Sequence, residues 1–409
     1  MAAASQPVPA ARKHPLRNAK FRLLWIGSTI SVTGDQFYLV ALPWLVLGLT
    51  GSSLALGTIS MTAAIPRAAL MLIGGAVTDR VSPRRVMMLT ASARTVLVAA
   101  VAALLWVHGL HLWVLYLLAL GFGIADAFAT PASQTFMPSL VEKDQLPVAQ
   151  SVFQSTAQVT TLVAPGPVGL FIKAFGTAWA FFIDAVSFLF ILGALWKLPD
   201  PPRAVGAGAA RRNMLQSILD GLRYVKADVA LSSLMLVVAV LNFAIAGPTS
   251  IGLAWIAKKQ FGSPAAYGLL MSCAAGGSLA GLLLAGLVKH RRRGRTLLLV
   301  ATVIGFCLMP LGVLHHLWSL AGVLVAMSLA AAFLNVQLIA WFQQRVERTV
   351  MGRVMSVLMF SSMGLMPISL AIAGVAIEAS LAGMFVVAGG MVLLVTLLAA
   401  THRPVREID

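Results

Sequence analysis

Five charged residues, Asp35, Arg67, Arg94, Asp126 and Asp184, interrupt otherwise apolar stretches of this chain. A charge inside such a stretch is expensive unless it is paired or wet, so each is a candidate for moving protons or meeting a polar solute. A carboxylic acid in an apolar cavity can carry a proton at neutral pH, and a guanidinium brought beside it favours its release. Depth follows from the helical rise. Asp35 lies about 20 Å along its helix from Arg22, and Arg67 about 18 Å from Asp79, which puts the two at similar depth on successive helices, within reach of pairing. Asp126 stands about 20 Å from Ser139 and Arg94 about 13 Å from Arg85. Asp184, in "FFIDAVSF", is similarly deep. Asp35, Asp126, Arg67 and Arg94 are the candidate proton-coupling set; the competing reading is a static ion pair that holds helices together.

The elements that must position these residues are membrane helices. Of 409 residues, 59% are hydrophobic and only 11% charged, with a mean hydropathy of +0.90. A soluble chain carries about 25% charged residues, so lipid is the solvent this composition suits. Taking roughly 20 mainly apolar residues per span, twelve spans are expected: 21–49, 53–78, 86–107, 112–138, 148–172, 175–196, 229–257, 265–288, 296–315, 317–342, 353–377 and 380–401. The net charge of +17 is not a nucleic-acid signal, because the basic residues gather in alternate connections. One side has Arg12, Lys13, Arg17, Lys20 and Arg22, then Arg80, Arg84 and Arg85, and further on the run Lys289 to Arg295; the other has Lys173, Lys258 and Lys259. The positive-inside rule then places both termini in the cytoplasm, and anionic lipid head groups are partner enough for the basic loops. The apolar stretch after residue 20 is too long for a cleaved signal.

The longest polar interruption, 197–228, divides the chain into a tail (1–20), a first six-helix bundle (21–196), a linker, a second bundle (229–401) and a short tail (402–409). Within the linker, "NMLQSILDGLRYV" has apolar residues at helical spacing and reads as an amphipathic helix on the membrane surface. The halves echo each other. "LVEKDQLPVAQSV" (140–152) aligns without gaps on "RVERTVMGRVMSV" (345–357), each copy following the fourth span of its half. Weak internal symmetry of two bundles points to a transporter with its site between them.

Between spans two and three stands "GGAVTDRVSPRRVMML". Its Gly75, Asp79, Arg80, Arg84 and Arg85 match the G-x-x-x-D-R-x-G-R-R pattern of the major facilitator superfamily, with Ser82-Pro83 lengthening the loop by one residue. Together with "GDQFYLVALPWLVLGLTGSSLALG", "ADAFATPASQTFMPSLV" and "GRVMSV", this makes the chain resemble that superfamily along its whole length, in particular its drug-efflux-like branch of macrolide and siderophore exporters. The resemblance implies a gate in which Asp79 meets the start of span eleven, near Gly352–Arg353. It also implies a cavity lined by spans one, four, seven and ten, which ranks Asp35 and Asp126 above Asp184. "APGPVGL" on span five partly fits the superfamily's antiporter motif through Gly166, Pro167 and Gly169, a pattern that accompanies export.

For a substrate wall the sequence offers Phe37, Tyr38 and Trp44, the stripe Gln154, Gln158 and Thr161, and the isolated amides Asn242, Asn335 and Gln337. His108, His111, His315 and His316 lie near Trp106, Trp113 and Trp318 and read as interfacial residues rather than metal ligands; Cys273 and Cys307, inside spans, suggest neither disulfide nor metal. No phosphate-binding loop, HExxH or nucleophile elbow appears, so neither an enzyme nor a cofactor is expected. The expected function is proton-coupled export of small amphipathic molecules by alternating access in a bacterial cell membrane, with nothing requiring more than a monomer. The alternative is a proton-coupled uptake symporter of the same fold.

Overall fold

The structure, a computed structural model, describes residues 14–200, 222–226, 228–288, 293–347 and 350–406, without the side chains of 72, 73, 75, 76, 79, 80, 352, 353, 356, 360 and 362. Among these residues ten helices are long and apolar enough to cross a membrane: α1 (Ala19–Thr50), α2 (Ser53–Arg80), α3 (Pro83–Trp106), α4 (Leu112–Phe136), α7 (Thr177–Lys197), α8 (Val229–Lys259), α9 (Pro264–Leu287), α10 (Arg293–Leu308, continued by a 3-10 turn), α11 (Leu317–Arg345) and α14 (Leu381–Thr401). The single helices expected over 148–172 and 353–377 are each broken. The first becomes α5 (Leu146–Val163) and α6 (Pro165–Phe175); the second becomes α12 (Met351–Met359), a π-helical turn and α13 (Met366–Ala379). In both, a proline (Pro165, Pro367) sits in the first turn of the second piece. It has no N–H to continue the preceding ladder, and its ring crowds the carbonyl four residues back.

Short polar connections fix where helices begin. Asn18 Oδ1 accepts the N–H groups of Lys20 and Phe21 at the start of α1. Asp228 Oδ1 accepts those of Ala230 and Leu231 at the start of α8. These caps satisfy donors that the first helical turn leaves free. The tight turn from α1 to α2 passes through Gly51 at φ +63°, a left-handed conformation that disfavours other residues. The amphipathic helix expected in the linker lies outside the described residues except for a helical turn at 222–226.

Packing repeats between the halves. In the first, α1 lies on α7, α2 on α4, and α3 on both α4 and α7. In the second, α8 lies on α14, α9 on α11, and α10 on both α11 and α14. Two broad contacts join the halves, α2 with α13 and α6 with α9. One end of the molecule, hereafter the terminal end, gathers the starts of α1 and α8 and the short helix Arg403–Arg406.

Candidate functional site

Between the halves lies a cavity of about 660 Å³, within the size of small-molecule sites. Its charged residues, Asp35, Arg67, Arg94 and Asp126, all come from the first half. The second half contributes neutral groups, among them Thr249, Ser278, Ser328, Met271, Met327 and Met366. Asp126 is the hub. It pairs with Arg94 through Oδ1, and its Oδ2 lies 3.6 Å from Arg67 Nη1. Arg94 is the more buried of the two arginines and lies near the rings of Phe122 and Phe188, 5.4 and 5.7 Å from their centroids. The pairing of Arg67 with Asp35 expected from depth is thus replaced by pairing with Asp126 on α4, because α2 packs broadly on α4 and only lightly on α1. Asp35 borders the cavity at the edge of this cluster.

Tyr38 lines the cavity and stacks on Phe122 at 4.2 Å; Thr161 lines it too. The other wall candidates stand elsewhere among the described residues. Phe37 turns to α6, edge-on to Phe171 at 5.5 Å. Trp44 lies under Lys258 Nζ, 3.9 Å from the ring centroid. Gln154 and Asn335 are exposed and Gln158 is half-buried, all outside the cavity. Asn242 bonds the carbonyl of Val238, and Gln337 that of Ala285. Met271, Met327, Met366, Thr249, Ser278 and Ser328 are among the wall residues missed by sequence reasoning. Their helices are apolar on every side, so hydropathy gives no sign of which face is turned inward.

Away from the terminal end the cavity is closed by backbone-to-backbone contact. α2 crosses α13 at Gly57 and Gly374, where a Cβ added to Gly57 would stand 2.7 Å from the carbonyl oxygen of Leu370. α6 crosses α9 at Gly169 and Gly268, where a Cβ on Gly268 would stand 2.0 Å from the carbonyl oxygen of Pro165. Only glycine allows these approaches. Hydrogen bonds lock the same seam: Ser53 Oγ to the Gly374 carbonyl at 2.9 Å, and Gly166 N–H to Ser272 Oγ at 3.1 Å. Gly166 and Gly169 of the antiporter-like motif therefore sit on the seam, with Pro167 in the first turns of α6 between them. At mid-depth Arg67 reaches Met366 Sδ at 3.7 Å.

At the terminal end, the side chains of Gly75, Asp79 and Arg80 lie outside the described residues, as does Arg353. Arg84 and Arg85 are seen. Arg84 donates to the carbonyls of Leu195 and Trp196 at 2.6 and 3.0 Å, closing the end of α7. Both arginines approach Asp200 at 3.5 Å, and Ser82 Oγ bonds it at 2.6 Å. The Ser82 hydroxyl, then the two guanidinium groups, hold the Asp200 carboxyl below its ordinary range. In the second half, Arg345 ties the end of α11 to Asp228 at 3.0 Å.

Two packed halves of membrane helices with a charged cavity between them define a multi-pass membrane transporter. The chain belongs to the transmembrane secretion effector family of the major facilitator superfamily, which it matches over residues 10–409, and this is a family of transporters rather than enzymes. It is 28% identical over 309 residues to the multidrug efflux pump Tap of Mycolicibacterium fortuitum, covering 72% of each chain. It is 24% identical to the macrolide efflux protein A of Streptococcus pyogenes, covering 95% of this chain and 97% of that one. Its fold resembles a crystal structure of the nucleoside transporter NupG, with a TM-score of 0.77 at 13% identity over 93% of this chain and 99% of that one.

Proposed function

We propose that this protein is a proton-coupled antiporter that exports small amphipathic molecules by alternating access. In this reading the two broken segments complete twelve spans in two six-helix bundles, 21–196 and 229–401, joined by the linker and with both termini in the cytoplasm. The basic terminal end then faces the cytoplasm, and the glycine seam closes the outer side, so the cavity faces inward. The observation that carries the reading is the composition of that cavity: a carboxylate–arginine cluster on one wall faces methionine, serine and threonine on the other. Methionine walls adapt to varied apolar cargo. The cluster supplies a carboxylate, Asp35, whose neighbour Arg94 is already engaged by Asp126. The resemblance to efflux pumps supports the direction of transport.

The cycle follows from these parts. Cargo enters from the cytoplasmic side while the seam is shut. The bundles then rock, the seam parts, and protonation of the carboxylate from outside favours release. The gate formed by Gly75, Asp79, Arg80, Arg84 and Arg85 would close the cytoplasmic side in the outward-facing state. Ethidium export from energised cells tests this. Wild type exports the dye; a protonophore and Asp35→Asn each abolish export. Export that persists with the protonophore present would rule out proton coupling.

A further inference from the structure

A second cavity of about 310 Å³ lies wholly within the first half. It runs from Asp35, Arg94 and Asp126 toward the terminal end past Ser28, Ser31 and Ser133, and these three charged residues also border the large cavity. They thus form a partition between two spaces. Behind the partition, on α7, Asp184 is 0% exposed and neither of its carboxylate oxygens has a hydrogen-bond partner. Its Oδ1 lies beside Gly34 of α1, where an added Cβ would stand 3.1 Å from it and would overlap Ser187 Oγ. The missing side chain at Gly34 is what lets α1 approach the carboxyl so closely.

The charges in this cluster balance without Asp184. Two guanidinium groups, Arg67 and Arg94, face two carboxylates, Asp126 and Asp35. Of the helices packed on α7, α1 brings Asp35 and Tyr38, and α3 brings Arg94, within electrostatic reach of Asp184. α6 brings no charge there, since its Lys173 is exposed. Arg94 pairs with Asp126 through one Nη while its Nε has no partner, and a charged Asp184 would be a third anion, fully buried with neither oxygen hydrogen-bonded, which costs several kcal/mol.

We propose that Asp184 is a proton store: it holds a proton in this state, exchanges it with Asp35 next door, and is reached through the narrow cavity of the first half rather than through the large one. In the exchange the Asp184 O–H bond breaks as one forms on Asp35, and the negative charge moves to Asp184. The inference rests on the antiport reading and extends it, separating the proton's route from the cargo's.

The test is infrared spectroscopy of the full-length protein in phosphatidylcholine liposomes at neutral pH, read at the carbonyl stretch of protonated carboxylic acids. Wild type shows the band, Asp184→Asn removes it, and Asp35→Asn keeps it. If Asp184→Asn does not fold, Asp184→Glu serves instead and shifts the band. Deuterium reaches the group more slowly in Ser31→Phe than in Met271→Phe. A wild type without the band, a band unchanged in the Asp184 variants, or one lost in Asp35→Asn overturns the store. Slower exchange in Met271→Phe overturns the separate route. The band does not depend on any cargo, so failed ethidium export with the band intact would sink the antiport reading and leave the store standing.

Discussion

Ser52 and Glu378 meet across the seam between the halves: the serine hydroxyl donates to Glu378 Oε1 at 2.5 Å. The same oxygen accepts the Leu54 N–H at 3.2 Å, so a carboxylate from one half rests on the first turn of α2 in the other. Negative charge is favoured at a helix N-terminus. Glu378 thereby latches the glycine crossing a turn away.

Removing the latch is expected to loosen the closed seam. In Glu378→Ala, the population opened away from the terminal end rises roughly fivefold, about 1 kcal/mol, the size of one ordinary net hydrogen bond at an exposed site. Labelling of a cysteine placed at Ser60, a cavity residue, by a membrane-impermeant thiol reagent added outside reads this directly. Unchanged labelling would mean the glycine contacts alone hold the seam.

The two arginines that share Asp126 should differ in weight. Arg94 is the more buried, so Arg94→Ala leaves Asp126 with only the more distant Arg67 and destabilises the protein by about 2 kcal/mol. Arg67 is 35% exposed and stands farther from Asp126, and its loss is worth about 1 kcal/mol or less. Thermal melts of the two variants in detergent check the ordering; equal losses would contradict it.

Asp200 gives a pH signature. Its carboxyl is held below the ordinary 3.8 by Ser82 first, and by Arg84 and Arg85. A carboxyl lowered on folding adds stability above its unfolded value, and that stability drains away as pH falls through the lowered one. Ser82→Ala should therefore melt below wild type at neutral pH, with the gap closing as pH drops under 3.8. The gap is small, because Asp200 is exposed and screened. A gap that persisted in acid would assign it to the backbone around Pro83 instead.

Much of the scaffold was legible in the sequence because lipid demands long apolar runs, and most helix ends fall within a few residues of the hydropathy boundaries. The breaks at Pro165 and Pro367 were not, since hydropathy averages over a proline. Asp35, Arg67, Arg94 and Asp126, picked out in the sequence as charges within apolar runs, do line one cavity. Azimuth was not legible, because rise per residue fixes depth but says nothing of which neighbour a side chain faces. Hence Arg67 meets Asp126 instead of Asp35, and Phe37 turns to Phe171 instead of the cavity. Nothing in the sequence singles out Asp200 or Glu378, since their partners are distant in the chain or assembled only by the fold.

The one-sided placement of charge in the large cavity has an electrical consequence. Asp35, Arg67, Arg94 and Asp126 belong to the first half, and the wall supplied by the second is neutral. A membrane voltage does work only on charge that moves through it, about 2.3 kcal/mol per elementary charge per 100 mV. Displacement of the second half's wall is therefore electrically silent. Among the residues that line the large cavity, a capacitive current would report those of the first half alone.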